Sequence, residues 1–515
     1  MIASPVPLNG TVLSFALLGR IGQGAPVAPS EEGMDRVRRG RAVLERDLAA
    51  GLPIYGTNTG VGGMKDTDWR DEQLAEFNLG LVRSHHFGTG APFPIGTVRK
   101  AMAIRINTAL TGVVGCSPEL VESFVDLLNS DIIPVVRRTG SIGCADIGLM
   151  GQIGAVLTGV GEVTHRGVRR DAAEVLREHG RKPLVLAPRD ALAALSVNAV
   201  GYAAAGVALR NAARIVRILM SVGVFSSAMM GASRTPWRAA AHIGTPMQIE
   251  MGRWLCAASA DWRWHDVSNV QDALSLRMMP QIFGTTLTAL QHAGQTVLDM
   301  TAQSDDNPVV VEDAILTSGG SLPADVALVM QSCQLTLAHI ARNVFNRCVL
   351  LVSGGRRGLP LNLVPEGAVA TGFGPALKLV GDLYMRVLSL TAPLSPQSLV
   401  VANGIEDEAA FLPLIVERFE RQVRALWRMA ALEALFAGQA ADILDDWPEG
   451  LGVPLRGAVR RHSGFYRFDR PLSSEVEAIE LEFGLPSVLD ELVRLAPIPC
   501  FDQFFDLPSV VAAVR

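Results

Sequence analysis

From Ala324 to Val352 the chain runs without a single proline or glycine, enough residues for about eight helical turns. Its scattered polar residues, among them Gln331, Gln334, His339, Arg342 and Asn343, leave most of the helix circumference apolar. Such a helix is unstable in water on its own and must be surrounded by other helices, within a subunit or between subunits. A second long helix is predicted after Pro413, through LIVERFERQVRALWRMAALEALFAGQAADIL. In SPELVESFVDLLN the apolar residues recur at Leu120, Val121, Phe124, Val125, Leu127 and Leu128. Ser117 is placed there as N-cap and Pro118 as first helical residue.

These signals predict a mainly α fold built on a bundle of long helices. Strand signals are few and short: GEVTHRGVRR turning at Arg166-Gly167, PLVLAP at 183 to 188, and VVVEDAILT turning at Glu312-Asp313. Gly-containing loops are denser before about residue 195. The expected division is therefore an N-terminal domain over 1–195 and a long-helix oligomerisation domain with a C-terminal helical segment over 196–515.

With 515 residues, 49% hydrophobic and 19% charged, the chain can bury a large core. Its net charge of -5 is spread without blocks of one sign, which argues against nucleic acid or an anionic membrane surface as partner. The apolar stretch Leu192 to Gly231 is interrupted by Asn198, Arg210, Asn211, Arg214 and Arg217, so a buried core helix is expected there and not a membrane span. The first residues have no basic leader before their short apolar run, so no signal peptide is expected. Cys116, Cys144, Cys256, Cys333, Cys348 and Cys500 lie far apart, with no Cys-x-x-Cys pair and no His in metal-ligand spacing. They read as reduced, mostly buried thiols of a cytoplasmic protein, and no metal site is expected.

Several loops line up in order with one family. YGTNTGVGG (55 to 63), NLGLVRSHHFGTG (78 to 90), TGSIGCADIGL (139 to 149), GEVTHRG, PLVLAPRDALAAL, VQDALSLRMMPQIFG (270 to 284), DDNP (305 to 308) and GIEDEAA (404 to 410) together resemble the aromatic amino acid ammonia-lyases, most closely histidine ammonia-lyase. The resemblance implies the long-helix bundle of the ammonia-lyase (fumarase/aspartase-like) superfamily. It also implies a homotetramer whose active sites draw loops from three subunits, and an electrophilic methylidene-imidazolone cyclised from an Ala-Ser-Gly triad.

Here that triad reads Cys144-Ala145-Asp146. The serine must supply the oxygen lost in forming the methylidene, and Ala145 has only a methyl group. The third residue closes a compressed turn for which glycine is suited and Asp146 is not. The expectation is that the prosthetic group does not form and that no cofactor is used.

The rest of the site is partly kept. Tyr55 matches the family's catalytic base, which must lower its pKa to work; alternatively it is a core phenol capping a loop. Arg277 matches the arginine that holds a substrate carboxylate, with a structural pair to Asp272 as the alternative. Ser84 and His85 match the selectivity pair of histidine-directed members, and Glu406 matches their acid. His85 as a hydrogen-bonded core residue and Glu406 as a solvated acid are the alternatives there.

Elsewhere the family's pattern is lost. Leu274 stands where the family has a second catalytic tyrosine, Ser196 where it has a substrate-contacting asparagine, with Asn198 two residues on. Gly319-Gly320-Ser321-Leu322-Pro323 replaces Gly-Gly-Asn-Phe-His. Asp146 reads either as an N-cap for the helix it precedes or as an acid partner to Tyr55.

The function expected is acid-base elimination, conjugate addition, cyclisation or isomerisation of an amino-acid-derived carboxylate with a polar or imidazole-like group, without methylidene-imidazolone. Ordinary deamination of an aromatic amino acid is not expected. The alternative is a catalytically silent relative that binds a ligand or a partner.

Overall fold

The computed structural model describes residues 4–265, 270–397 and 399–507. Helices dominate it. The glycine-free run forms one helix, Ala324–Ser353, the segment around Pro413 forms another, Leu412–Leu444, and the apolar stretch near 200 forms a third, Ala199–Met229. Of the most apolar window within 190–229, 94% is buried inside the fold, so protein and not lipid solvates it. The Pro118–Asn129 helix starts as its sequence predicts, the Ser117 hydroxyl accepting the Leu120 N–H.

The short strands follow their turn signals where a partner exists. Glu162–His165 pairs antiparallel with Val168–Asp171, and Val309–Val311 with Ala314–Leu316. PLVLAP does not form a strand. Prolines at 183 and 188 remove ladder donors, and Leu184 makes a backbone bond to Leu157 O alone in that role, with no neighbouring strand to continue it. Ile132–Pro134 adds a third strand beside Glu162–His165 that the sequence patterning did not single out.

The chain forms two compact units, and they differ from the predicted division at 195/196. The first contains residues up to Val207, Gln295–Leu328 and Pro393–Glu417; the second contains Ala208–Gly294, Val329–Ala392 and residues from Arg418 on. The predicted boundary treats the chain as one cut, whereas the DDNP and GIEDE loops return to the first unit because their partners lie there. Asp306 accepts a two-pronged bond from Arg105, at 2.8 and 3.0 Å, and one from Arg189 at 3.2 Å; all three side chains are essentially inaccessible. That fork anchors the DDNP loop on the Ile95–Ala109 helix.

In the second unit the apolar helix carries a buried charge. Arg347 is paired in parallel with Glu433 of the Leu412–Leu444 helix, at 2.6 and 2.8 Å, and also bonds Asn343. Both partners are fully inaccessible.

All six cysteines are free. Cys116, Cys333 and Cys348 are buried, Cys144 and Cys256 half-buried and Cys500 exposed, so burial is less general than the sequence suggests.

Candidate active site

Four loops of the first unit meet around a cavity of about 580 Å³. The first carries Tyr55. Asn58 folds this loop back on itself, its side-chain oxygen accepting the Ile54 N–H at 2.7 Å and its amide donating to Leu52 O at 2.9 Å. The turn brings the Gly62 N–H to the Tyr55 hydroxyl, to which it donates at 2.9 Å.

The second loop contains Cys144, Ala145 and Asp146. Gly143 has φ +73°, and a side chain there would come within 2.6 Å of the Leu412 nitrogen. Only glycine allows the loop to lie against the start of the Leu412–Leu444 helix, where Phe411 N–H donates to Ile142 O at 2.8 Å. The third loop, Ser318 to Leu322, supplies the carbonyl of Ser321, which accepts the Ala145 N–H at 2.9 Å. The fourth carries Glu406, Asp407 and Glu408, turned by left-handed Ala402 and Asn403 and closed by the Val401–Glu406 bridge.

Tyr55, His85, Cys144, Ala145, Ser196 and Glu406 all line this cavity. The Tyr55 phenol is half-buried, and burial raises its pKa above the ordinary phenol value. The Gly62 N–H opposes that shift, while the nearby Glu406 and Cys144 charges add to it. The lowered pKa expected of a ready base is therefore absent from this environment; as it stands, Tyr55 keeps its proton. Burial likewise raises the Cys144 thiol, against its contact with the Ser321 hydroxyl at 3.6 Å. His85 Nδ1 lies 2.7 Å from Leu81 O, an acceptor only, so Nδ1 carries the proton. Nε2 is then the ring nitrogen left for another partner.

Other predicted site residues lie elsewhere. Ser84 is exposed, its hydroxyl turned back to Leu81 O at 3.0 Å, because it sits on the outward side of the last helical turn. Asn198 is buried, its amide divided between Asp305 and Ser321 O, both at 2.8 Å. It therefore supports the wall that Ser196 lines.

Asp146 has no accessible surface and does not line the cavity. It stands at the N-cap position of Ile147–Leu157 without bonding that helix through its side chain. Its carboxylate instead accepts the Gly201 N–H, at 2.6 Å, and the Ser141 hydroxyl, at 2.9 Å. Burial pushes it up to about 7, opposed by those two bonds and helped slightly by Asp305.

Arg277 belongs to the second unit, in the short helix Leu274–Arg277, and is not among the cavity's lining residues. The alternative pairing with Asp272 is not made; Asp272 bonds Arg356 at 2.6 Å. Among the described residues the buried Nε of Arg277 has no hydrogen-bond partner, and the cavity lining contains no Arg or Lys at all. Leu274 is in the same helix and exposed.

The model of the family described as aromatic amino acid lyase matches residues 13–461. The chain belongs to the aromatic amino acid lyase family. Histidine ammonia-lyase of Aromatoleum aromaticum is 30% identical over 458 residues, 87% of each chain. Among solved structures, the ergothioneine-degrading enzyme ergothionase of Treponema denticola, in complex with desmethyl-ergothioneine sulfonic acid, superposes with a TM-score of 0.91. It is 26% identical and matches over 95% of this chain and 100% of that one. Tyrosine aminomutase of Streptomyces globisporus shares the fold, with a TM-score of 0.88 at 24% identity, over 96% and 99% of the two chains. The fold is thus that of the ammonia-lyases and aminomutases, and membership supports lyase-type chemistry on an amino acid or its derivative.

Against the family's pattern, the loop reading did not single out Asn307, Asp407 and Glu408, all of which line the cavity. The signal was present, since each lies in or beside a motif already matched. What the sequence lacks is the direction in which each side chain points.

Proposed function

We propose that this member of the aromatic amino acid lyase family is a lyase that works without methylidene-imidazolone, eliminating a tertiary amine from a quaternary-ammonium derivative of an amino acid. The observation that carries the reading is the cavity itself. Where ring formation needs an oxygen to expel, Ala145 offers a methyl group, and where it needs a bare backbone nitrogen, Asp146 is tied by its carboxylate to Ser141 and Gly201. The residues present do not fit the prosthetic group, so no step passes through it.

Without an electrophile, the leaving group must already be good. A base strong enough to take a carbon-bound proton removes an N–H proton from a primary ammonium first, and the neutral amine left behind departs poorly. A quaternary nitrogen has no proton to lose and stays cationic. The wall formed by Glu406, Asp407 and Glu408, without Arg or Lys, suits that charge, and Val61, Leu192 and Leu195 suit its alkyl groups. The likeness to ergothionase points the same way, because ergothioneine is a trimethylammonium betaine of an imidazole-bearing acid.

The cation also changes Tyr55. An opposite charge within about 4–6 Å lowers a phenol's pKa by about 1–3 units, offsetting burial and the neighbouring acids. Tyr55 then becomes a base only with substrate present, and Glu406 receives its proton. The phenolate takes the β-hydrogen, the C–H pair becomes the new double bond, and the C–N pair leaves on the amine. His85 Nε2 accepts from an N–H on the substrate side chain, and Arg277 of another copy in a homotetramer holds the carboxylate.

The test is incubation of purified protein with histidine, its trimethylammonium betaine and ergothioneine, following acrylate absorbance and free amine. Turnover of a betaine with none of histidine supports the reading. Release of ammonia from histidine, or an intact mass short of two waters in the peptide spanning Cys144 to Asp146, would sink it.

A further inference from the structure

The Cys144-Ala145-Asp146 turn is held in a conformation it would not choose. Ala145 has φ +46°, in the left-handed region that disfavours any residue with a Cβ. Its surroundings must therefore impose it, and they do so from both ends. On one side the Ala145 N–H donates to Ser321 O, and the same carbonyl accepts the Asn198 amide at 2.8 Å; Asn198 is fixed in turn by Asp305, which accepts its backbone N–H at 2.8 Å. On the other side Asp146 reaches Gly201. Asn198 and Gly201 flank the start of one helix, Ala199–Met229, so both ends of the turn are tied to the same rigid element.

The Gly201 N–H is one of the donors that a helix start leaves without an internal partner, and an anion there is favoured by the helix dipole. Glycine is what lets the carboxylate approach: a Cβ at 201 would lie 2.9 Å from Asp146 Oδ2. The layer behind the turn is buried, Asp146, Asn198 and Tyr202 being essentially inaccessible. Tyr202, in the same helical turn, is fully buried, with Asp305 and Asn198 beside its hydroxyl. Asp146 is thus the one side chain of the triad directed away from the cavity and into the supporting layer.

We propose that Asp146 is a positioning residue that clamps the left-handed Ala145 turn onto the start of the Ala199–Met229 helix and so fixes the Cys144 face of the cavity. The clamp works through two hydrogen bonds accepted by one carboxylate, with no contact to substrate. It deepens and rests on the functional reading above only in that the turn is a wall of the same cavity; its test needs no turnover, so the two can fail separately.

The experiment is alkylation of the folded full-length protein with iodoacetamide, with the rate at each cysteine read by peptide mass spectrometry. Cys500 is exposed and calibrates the reagent, while buried Cys116, Cys333 and Cys348 report any general opening. Asp146→Gly is expected to speed Cys144 by about tenfold relative to Cys500, through the loss of the bonds from Gly201 and Ser141, without change at the three buried thiols. Asp146→Asn keeps an acceptor for Gly201 and a donor for the Ser141 oxygen, and restores the rate to within about threefold of the parent. The proposal is overturned if Cys144 is unchanged in Asp146→Gly, if it rises only together with the three buried thiols, or if Asp146→Asn is as fast as Asp146→Gly. Should Asp146→Gly not fold, Ser141→Ala removes one anchor alone, and a Cys144 rate equal to the parent's in that variant overturns the clamp as well.

Discussion

A carboxyl group without access to water titrates according to what its neighbours offer, and for Asp146 two hydrogen bonds do not compensate for burial. Its pKa stands at about 7 against 3.8 for a free side chain. Between those values the folded chain keeps a proton that the unfolded chain has released, so stability falls as pH rises across that window and levels off above it. Asp305, raised to about 6 by burial, adds a slope of the same sign over a narrower range. Asp146→Asn has no such proton to lose. Its thermal midpoint is therefore expected to fall less than the parent's between pH 5 and 8 and to exceed it at pH 8 by at least about 3 °C. Parallel melting curves across that range would show that Asp146 is ionised at low cost, contrary to its surroundings. The residue's identity was plain in the sequence, and so was its misfit with the triad. Its direction was not, because the partner that claims it, Gly201, lies 55 positions away. The same holds for Asn198, a candidate substrate contact two residues beyond the aligned Ser196, which serves as a strut by geometry.

At the scale of the elements, the apolar run at 324–352 announced its helix correctly because period and length are local properties. The charge inside it was harder to read. Arg347 looks like an interruption of an apolar face until Glu433 is seen opposite, with both fully inaccessible. Removing one member of such a pair leaves the other buried and uncompensated, at a cost of about 3–5 kcal/mol, whereas replacing both by apolar residues of similar volume is far milder. Glu433→Ala should thus lose several times more stability in urea unfolding than the double variant Arg347→Met, Glu433→Leu. A double variant as unstable as the single one would mean that the two residues do more than neutralise each other. PLVLAP went the opposite way, since apolar residues between prolines look like a strand locally, and strand formation depends on a neighbour that the local pattern does not specify.

For the whole molecule, the chain order hides the grouping that matters. The Tyr55, Cys144, Ser321 and Glu406 loops are drawn from four distant parts of the sequence into one unit, which no single boundary at 195 can express. Arg277 remains outside that group. A carboxylate substrate entering a cavity lined by three acids and no Arg or Lys meets no cationic side chain there to hold its negative end, while the buried Nε of Arg277 has no partner among the described residues. In the homotetramer proposed above, Tyr55 and Arg277 of one site come from different copies, which would account for both. Tyr55→Phe and Arg277→Ala are each expected to lower turnover of the betaine by about 10²- to 10⁴-fold. Co-expressed with different tags and purified as mixed oligomers, the two inactive variants place both intact residues in about a quarter of the sites. Activity near that fraction of the parent's is the expected result. Mixed oligomers as inactive as either variant alone would require Tyr55 and Arg277 to serve a site from the same copy, and the acidic cavity would then need another cation to explain how a carboxylate is held.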